Sequence, residues 1–339
     1  MNKKDLPYLV VSIMLFILMN TLIGGNTFPF TEGAELKMDP HVKIAPYMDL
    51  ESGLYGYIDI NGQVLIEPRF RYAEAFNEGV AVIAESDSKG TNYGYIDKKG
   101  DIVLPLQYDY ARTFHEGLAF VSYKGELIVV NKAGDPAFKL PENMVAGDYA
   151  SGLAPMYPAA ESKKVSVTSG YIDRNGQVVF EMPQLIEAGS FSQGLAPVCV
   201  ENETNRKWGY IDQTGQMVIA PKYALAEPFV DDVAAVAVFD EDGHKKWGYI
   251  DKSGAFIIQP IFDSAFSFSE NLAVVFVDGQ GYGYIDRHGH FVIGPNFEMA
   301  TSFSDGFATV RVSNTEFHCI NKNGEVQFKV KNKLIFSFK

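Results

Sequence analysis

The chain is poor in cysteine and in basic residues. Only 2 of its 339 residues are cysteine, so a disulfide framework does not hold the protein together. Its 29 Lys and Arg residues are outnumbered by 42 Asp and Glu residues, which gives a net charge of −13. Because binding to nucleic acid or to an anionic membrane surface requires excess positive charge, we expect no nucleic-acid partner.

Sequence motifs that mark common enzymes are also missing. The chain contains no glycine-rich phosphate loop, no Gly-x-Ser-x-Gly elbow and no His-Glu-x-x-His sequence. We therefore predict no catalytic residue, no cofactor and no metal site. Aromatic residues, by contrast, make up 13% of the chain, and they favour β-strands.

The N-terminus has the pattern of an export signal. Lys3 and Lys4 precede an apolar run, Leu6–Ile23, which suits either a cleaved signal peptide or a retained membrane anchor. We assign residues 1–25 to this segment and residues 26–40 to a linker. The positive charges before the run orient the rest of the chain outside the cytoplasm. The sequence thus predicts a secreted or membrane-anchored extracytoplasmic protein, which contacts the membrane only if the anchor is retained.

The remainder, residues 41–339, is a tandem repeat with a period of about 37 residues. The string Gly-Tyr-Ile-Asp occurs six times, and two degenerate copies fill the gaps. The intact copies are Gly56–Asp59, Gly94–Asp97, Gly170–Asp173, Gly209–Asp212, Gly248–Asp251 and Gly283–Asp286, and the degenerate ones are Ile128–Asn131 and His318–Asn321. We therefore predict an all-β array of about eight antiparallel units, of which the first and last are incomplete.

A glycine follows each Asp or Asn after three residues, and this spacing predicts a hairpin turn with the glycine at positive φ. The return strand is apolar and is expected to end at a proline, since proline cannot donate to the ladder. The clearest copies of this structural motif lie in two units. Their residues are Trp208, Gly209, Asp212 and Gly215, and Trp247, Gly248, Asp251 and Gly254.

A second half-unit follows each hairpin. It contains an aromatic residue, then a glycine three residues later, then an alanine two residues beyond, as in Phe76, Gly79 and Ala81. In two copies Asp232 and Asn271 replace the glycine. Because Asp and Asn tolerate positive φ better than other residues, this replacement predicts a backbone requirement rather than a chemical one.

These residues resemble the bacterial WG β-repeat family, also called KWG repeats. The resemblance is carried by Lys207–Asp212, Lys246–Asp251, Gly194–Ala196 and the Pro221-x-Tyr223 pair, and it covers roughly residues 43–330. The chain departs from the family where Tyr55, Tyr93 and Tyr282, and also Leu127 and Ser169, replace the tryptophan. The resemblance implies an all-β array on secreted or surface proteins and implies no catalytic residues.

The array can close into a propeller-like ring or remain an open β-solenoid. Four antiparallel strands in each unit are the format of a propeller blade, and we favour the ring. We expect the orphan strand at Ile44–Pro46 to complete the C-terminal unit built from Phe317–Val330, because no second half-unit is recognisable after that hairpin. Closure would also remove exposed strand edges.

Several polar groups suggest chemistry but have simpler structural explanations. Turn capping explains the repeated Asp and Asn residues better than catalysis or calcium binding does. The pair His288 and His290 flanks a hairpin glycine, as expected of an exposed turn. Trp208 and Trp247 either pack in the core or stack on a sugar. Cys199 and Cys319 either are buried thiols or form a bridge if ring closure brings them together.

Length varies mainly between the fourth strand of one unit and the next hairpin. The insertions are Glu85–Asn92, Pro158–Ser169, Glu201–Lys207 and Asp240–Lys246. We expect them on one face, which is often the binding face of a repeat protein. The candidate binding residues in these loops are Glu85, Asp87, Glu201, Glu203, Asp240 and Asp242.

The sequence therefore predicts a non-enzymatic binding module for an unknown protein or glycan at the cell surface. The alternative is a carbohydrate-active enzyme with its site at the centre of the ring, and an acid pair about 5–10 Å apart in a cleft would favour it.

Overall fold

A computed structural model describes residues 43–88, 90–159, 169–201 and 206–336. The described chain forms eight four-stranded antiparallel sheets that follow one another as the blades of a β-propeller. The predicted all-β ring of eight units is thus confirmed, and the open solenoid is wrong.

Blades are numbered in chain order, and the strands of a blade in their order across the sheet. Blade 1 contains β32 (Lys333–Ile335), β1 (Ile44–Asp49), β2 (Tyr55–Asp59) and β3 (Val64–Phe70). Blade 2 contains β4 (Tyr72–Ala73), β5 (Val80–Asp87), β6 (Gly90–Asp97) and β7 (Ile102–Tyr108). Blade 3 contains β8 (Tyr110–Ala111), β9 (Leu118–Tyr123), β10 (Glu126–Asn131) and β11 (Pro136–Lys139). Blade 4 contains β12 (Met144–Ala146), β13 (Ala154–Pro158), β14 (Gly170–Ile172) and β15 (Val178–Glu181).

The other four blades follow the same order. Blade 5 contains β16 (Leu185–Ala188), β17 (Leu195–Glu201), β18 (Arg206–Asp212) and β19 (Met217–Tyr223). Blade 6 contains β20 (Leu225–Ala226), β21 (Val233–Phe239), β22 (Lys245–Asp251) and β23 (Phe256–Phe262). Blade 7 contains β24 (Ser264–Ala265), β25 (Ala273–Val277), β26 (Gly281–Ile285) and β27 (Phe291–Phe297). Blade 8 contains β28 (Met299–Ala300), β29 (Phe307–Ser313), β30 (Glu316–Asn321) and β31 (Val326–Lys331).

The C-terminal strand closes the ring. Strand β32 pairs with β1, with Met48 opposite Leu334 and Tyr47 opposite Ile335. The predicted closure of the ring by the orphan N-terminal strand is thus confirmed. The prediction that this strand completes the unit built from Phe317–Val330 is wrong, because that hairpin already lies in the complete blade 8. Each blade takes its first two strands from one sequence repeat and its last two from the next.

Each turn between the third and fourth strands is fastened by its Asp or Asn side chain. In blade 5, Asp212 Oδ1 accepts hydrogen bonds from the backbone N–H groups of Thr214 at 2.9 Å and Gln216 at 3.1 Å. Gly215 completes this turn with a φ of +83°. The same two bonds recur in all eight blades, at Asp59, Asp97, Asn131, Asp173, Asp212, Asp251, Asp286 and Asn321.

The fourth strand does not end at its proline, contrary to the sequence expectation. Strand β19 runs through Pro221 to Tyr223, which pairs again with Trp208. The register shifts between these pairs, so the proline sits in a bulge where no ladder hydrogen bond is needed. The bulge approaches Gly209, where an added Cβ would lie 2.4 Å from the Ile219 carbonyl oxygen. The repeat glycine is thus required by a close backbone approach.

An aromatic pair and a hydrogen bond join neighbouring blades. The ring of Tyr249 in blade 6 lies 4.8 Å from that of Phe268 in blade 7. The Tyr249 hydroxyl donates to the Phe266 carbonyl at 2.9 Å, and the tyrosine has no exposed surface. Six tyrosines make both contacts with the following blade: Tyr57, Tyr95, Tyr171, Tyr210, Tyr249 and Tyr284.

A further contact at the turn glycines runs around the whole ring. In each blade an apolar side chain of the fourth strand packs on the turn glycine of the next blade, as Ile258 does on Gly289. The series includes Phe328 of blade 8 on Gly62 of blade 1. The junction between the chain ends is therefore packed like the other junctions.

Two-residue turns join the first and second strands of blades 2 to 8. Both central residues have positive φ, as in Asp231 at 50° and Asp232 at 65°, and in Glu270 at 55° and Asn271 at 70°. The predicted backbone requirement at Asp232 and Asn271 is confirmed. These turns and the Asp/Asn turns lie at one end of the strands, which we call the turn face. The connections between second and third strands, and the crossovers between blades, lie at the other end, which we call the loop face.

Residues 1–25 and 26–40, assigned above to a signal or anchor and to a linker, lie outside the described residues. Within the described part of the chain, no helix is long and apolar enough to cross a membrane. Cys199 and Cys319 are both buried and form no disulfide, so the predicted alternative of a bridge is wrong.

Ring closure can be tested by a cross-link between β1 and β32. Cysteines replacing Met48 and Leu334 (Met48→Cys with Leu334→Cys) are cross-strand neighbours and should form an intramolecular disulfide under oxidation. Closing so long a loop should stabilise the fold by about 2–4 kcal/mol. The disulfide is detected by electrophoresis without reductant. Val145 occupies in blade 4 the position of Leu334 in blade 1. Met48→Cys with Val145→Cys is therefore the matched control and should not form a disulfide. If both cysteine pairs cross-linked equally, ring closure would be contradicted.

The close approach at Gly209 predicts a selective effect of one methyl group. Gly209→Ala should lower the free energy of unfolding by about 1–3 kcal/mol, because its Cβ collides with backbone. Gly294 lies in strand β27, where an added Cβ meets only the Asn296 side chain at 3.3 Å. Gly294→Ala should therefore leave the unfolding midpoint in denaturant nearly unchanged. A similar loss in both variants would show that the bulge is not the reason for the repeat glycine.

Two buried tyrosines allow the contribution of the interblade hydrogen bond to stability to be measured separately from that of the aromatic ring. Tyr249→Phe leaves the Phe266 carbonyl without its donor and should cost about 1–3 kcal/mol in unfolding free energy. Tyr108 is also buried, but none of the described residues accepts a hydrogen bond from its hydroxyl. Tyr108→Phe should therefore be neutral or slightly stabilising. The measurement is equilibrium denaturation of both variants, and an unchanged Tyr249→Phe midpoint would remove the proposed role of the hydroxyl.

Candidate binding face

The four insertions all join second and third strands, so they emerge on the loop face. In blade 2 the insertion is a hairpin rather than the loop expected from the sequence. Strands β5 and β6 continue in register, with Glu85 opposite Asn92 and Asp87 opposite Gly90. The Glu85 and Asp87 side chains therefore stand on a projecting, hydrogen-bonded ribbon.

The other insertions differ in how much of them is described. Between β21 and β22 the chain turns at Asp240, whose carboxylate accepts hydrogen bonds from the N–H groups of Asp242 and His244. Strand β17 ends at Glu201. Glu203 and most of the Pro158–Ser169 insertion lie outside the described residues. Asp240 thus has a structural role, whereas Asp242 is an exposed side chain at the tip of its loop.

The repeat-motif residues hold the fold rather than a ligand. Gly209 and Gly248 lie under the proline bulges, and Gly215 and Gly254 have positive φ. Hydrogen bonds from the Thr214 hydroxyl and from backbone N–H groups lower the pKa of Asp212. The Ser253 hydroxyl and neighbouring N–H groups do the same for the pKa of Asp251. Both carboxylates lie on the turn face, opposite the insertions.

The two tryptophans lie on the loop-face side of their strands. Trp247 is 4% exposed and belongs to the core of blade 6, whereas Trp208 is half-buried. Tyrosines replace tryptophan at this position in blades 1 and 2, at Tyr55 and Tyr93. No described residue accepts a hydrogen bond from the buried Trp247 indole N–H.

These tyrosines form a continuous aromatic row with residues of the first strands. Phe336 stacks on Tyr55 at 5.9 Å, Tyr55 contacts Tyr72 edge-to-face at 6.1 Å, Tyr72 contacts Tyr93 at 6.0 Å, and Tyr93 contacts Tyr110 at 5.6 Å. The row crosses blades 1 to 3. Tyr110 at its end keeps 41% of its surface exposed.

Polar groups lie beneath this aromatic row. Glu74 accepts a hydrogen bond from the Tyr72 hydroxyl at 2.5 Å and another from the Thr113 hydroxyl. Arg112 donates to the Ala146 carbonyl and pairs with the Asp148 carboxylate at 3.0 Å. Burial raises the pKa of Tyr110, while Arg112 opposes this shift and Glu74 and Asp148 add to it. The Arg112 guanidinium is therefore already paired with the Asp148 carboxylate.

The row of first-strand positions continues into an acidic sector. Glu187 occupies in blade 5 the position of Tyr72 and Tyr110, and Glu227 occupies in blade 6 the position of Glu74. Burial raises the pKa of Glu187, with Arg206 opposing the shift, and burial alone raises that of Glu227. The half-buried Glu227 carboxylate has no hydrogen-bond or ion-pair partner among the described residues.

One group of side chains on the loop face has metal-ligating atoms close together. Single atoms of Asp240, Asp242 and His244 lie within 4.8 Å of one another. The turn itself explains this clustering, because the Asp240 carboxylate caps it. His288 and His290, which the sequence placed in an exposed turn, have side chains that are both 80% exposed, on the opposite face. Neither group carries a further sign of a ligand.

Glu187 and Glu227, the two carboxylates whose pKa is raised by burial, show no sign of the acid pair that glycoside hydrolysis needs. Such a pair would perturb its own pKa values. No acidic neighbour contributes to the raised pKa of Glu227, and the only charged group that acts on Glu187 is the cation of Arg206.

Sequence reasoning located the insertions but missed the first-strand positions. Most first strands contain only two paired residues, too few for alternation to be seen. A small residue does recur between the two outward positions, as in Tyr72-Ala73-Glu74, Tyr110-Ala111-Arg112 and Leu225-Ala226-Glu227. Aligning these triplets would have revealed the row.

The model of one protein family matches the chain six times. The family is described as the WG containing repeat, and the matches cover residues 55–87, 93–126, 170–203, 208–238, 247–280 and 282–315. Together they span more than half of the chain. The two degenerate hairpins at Ile128–Asn131 and His318–Asn321 fall outside these matches but form ordinary blades. No curated protein matches the chain in sequence.

Several solved structures are similar to the chain at low sequence identity. A prolyl endopeptidase structure is 13% identical with a TM-score of 0.50, over 74% of this chain and 47% of that one. The computationally designed Ika8 protein is 12% identical with a TM-score of 0.48, over 78% and 88%. BamB from Moraxella catarrhalis is 12% identical with a TM-score of 0.45, over 89% and 88%. At these identities the likeness concerns the fold alone.

The raised pKa of Glu227 predicts how stability depends on pH. In the folded protein this carboxyl titrates above its ordinary value of 4.5, so the native state holds its proton to higher pH than the unfolded state does. Ionisation of Glu227 therefore destabilises the fold. The destabilisation is complete above the folded pKa and disappears only well below the ordinary pKa of 4.5. Glu227→Gln should be more stable than the parent at neutral pH and equally stable well below pH 4.5. Denaturant midpoints across this window measure the difference, which Glu181→Gln, at an exposed strand residue, should not show.

Proposed function

We propose that this chain, which belongs to the WG-containing repeat family, is an extracytoplasmic binding module without catalytic activity of its own. Its ligand would be a protein or another component of the cell surface. The main support is that all the long insertions emerge on one face of a ring whose other face is occupied by structural turns.

The arrangement of the carboxylates favours binding over catalysis. The repeated Asp residues are engaged in turns, and Glu74 is held by two hydroxyl donors. The remaining half-buried acids, Glu187 and Glu227, do not perturb each other's pKa values. A rigid ring with a variable face needs no catalytic group in order to bind a partner.

The proposed location rests on the N-terminal sequence. Lys3 and Lys4 followed by the apolar run Leu6–Ile23 are typical of export. Fractionation of cells that express the full chain with a C-terminal tag should recover it outside the cytoplasm or in the membrane. Recovery only in the soluble cytoplasm would contradict the proposal.

The binding role is tested by affinity capture with the tagged full chain from envelope extracts. Charge reversal on the loop face, Glu85→Lys with Asp242→Lys, should abolish capture of a specific component. Glu67→Lys with Glu181→Lys makes the same change in charge at exposed residues of fourth strands and should leave capture intact. Digestion of the captured material with protease or with glycosidase then distinguishes a protein from a glycan. Equal capture by both variants would show that the loop face is not the binding surface.

A further inference from the structure

The aromatic row and the acidic sector occupy one band across the blades, just below the insertions. Tyr93 pairs with Ala84, which precedes the projecting ribbon of blade 2, and Ala84 pairs in turn with Tyr72. The row therefore lies at the base of the projecting hairpin. A ligand held between the insertions would rest on it.

The row continues into the acidic sector through Tyr157 in blade 4. Burial raises the pKa of this tyrosine, Glu187 adds to the shift, and Arg112 opposes it. Tyr157 also packs against the buried cluster that contains Leu185 and Ala188, which lie before and after Glu187 in the first strand of blade 5. The register of the first strands extends this series of positions to Glu227 in blade 6.

The band contains polar groups that are available to a ligand. None of the described residues accepts a hydrogen bond from the Tyr93 or Tyr110 hydroxyl. The half-buried Glu227 carboxylate has no partner among the residues that the structure describes, and burying an unpaired charge is costly. Phe266 occupies in blade 7 the position of Glu227 in blade 6, and 44% of its surface is exposed.

The charge of the band selects the partner. Its cation Arg112 is paired with Asp148, and the loop-face cations Lys246 and Arg311 are paired with Asp263 and Glu298. Arg206 acts on Glu187, so Glu227 is the carboxylate of the band that lacks a partner among the described residues. The whole chain carries a net charge of −13. Aromatic faces attract ammonium and guanidinium groups, and carboxylates at the same site add to this attraction.

We propose that this band binds a segment of a partner protein that carries lysine and arginine side chains. The aromatic row packs against their aliphatic stems and cationic groups, and Glu187 and Glu227 pair with their charges. This inference rests on the proposed binding function and specifies the chemistry of its partner.

The test is calorimetric titration of the full chain at physiological ionic strength. The probes are the peptide Gly-Lys-Gly-Arg-Gly-Lys, the peptide Gly-Glu-Gly-Asp-Gly-Glu and cellohexaose. We expect binding of the basic peptide only. Binding of the acidic peptide or of the glucan in preference to the basic peptide would overturn the inference.

Matched variants separate the site from net charge. Glu187→Gln with Glu227→Gln should weaken binding of the basic peptide about tenfold or more. Glu67→Gln with Glu181→Gln removes the same charge from exposed fourth-strand residues and should weaken it no more than about twofold, as expected for screened surface charges. Equal losses would mean that the peptide senses only the net charge, and the inference would fail.

A second variant tests the aromatic row independently of the acids. Tyr110→Leu keeps an apolar side chain but removes the ring, and it should weaken binding of the basic peptide several-fold. Melting curves establish that each variant is folded. If capture from envelope extracts depends on the insertions but is unaffected by Glu187→Gln with Glu227→Gln, the proposed function stands and this inference is overturned.

Discussion

The interaction on which the ring depends is the contact between a buried tyrosine and the following blade. Tyr249 and its five equivalents each place a ring against a phenylalanine of the next blade and donate a hydrogen bond to a carbonyl there. The aromatic pair supplies apolar burial, and the hydroxyl fixes how the two sheets are oriented. Because each tyrosine comes from the most regular part of the repeat, the junction is repeated with the sequence. The shared geometry of six of the eight blade-to-blade junctions follows from this repetition.

Much of the fold could be predicted from residues whose local conformational preferences are well known. The carboxylates at Asp212 and Asp251 and the glycines three residues later define a turn, and the exchange of glycine for Asp232 and Asn271 reveals positive φ. The proline bulge could not be foreseen, because Pro221 alone is equally typical of a strand end. Its true place depends on the later pairing of Tyr223 with Trp208, which is a tertiary contact.

The candidate site was predictable in part for the same reason. Insertions such as Asp240–Lys246 stand out by length, so the loop face was found. The band beneath it was not, because its residues differ from blade to blade: Tyr72, Tyr110 and Glu187 share a position but no chemistry. In a repeat protein the invariant positions carry the fold and the variable ones carry specificity. A search for repeated residues therefore finds the first set and passes over the second.

The pairing of β32 with β1 has a mechanical consequence. A pulling force applied to the chain ahead of Ile44 acts first on β1, which lies between β2 and β32 in blade 1. Withdrawing this strand requires two hydrogen-bonded ladders to break together, whereas an outer strand would peel from a single neighbour one bond at a time. The junction where the two chain ends meet is the expected point of failure in a ring. Here two ladders of hydrogen bonds share any force that acts on it.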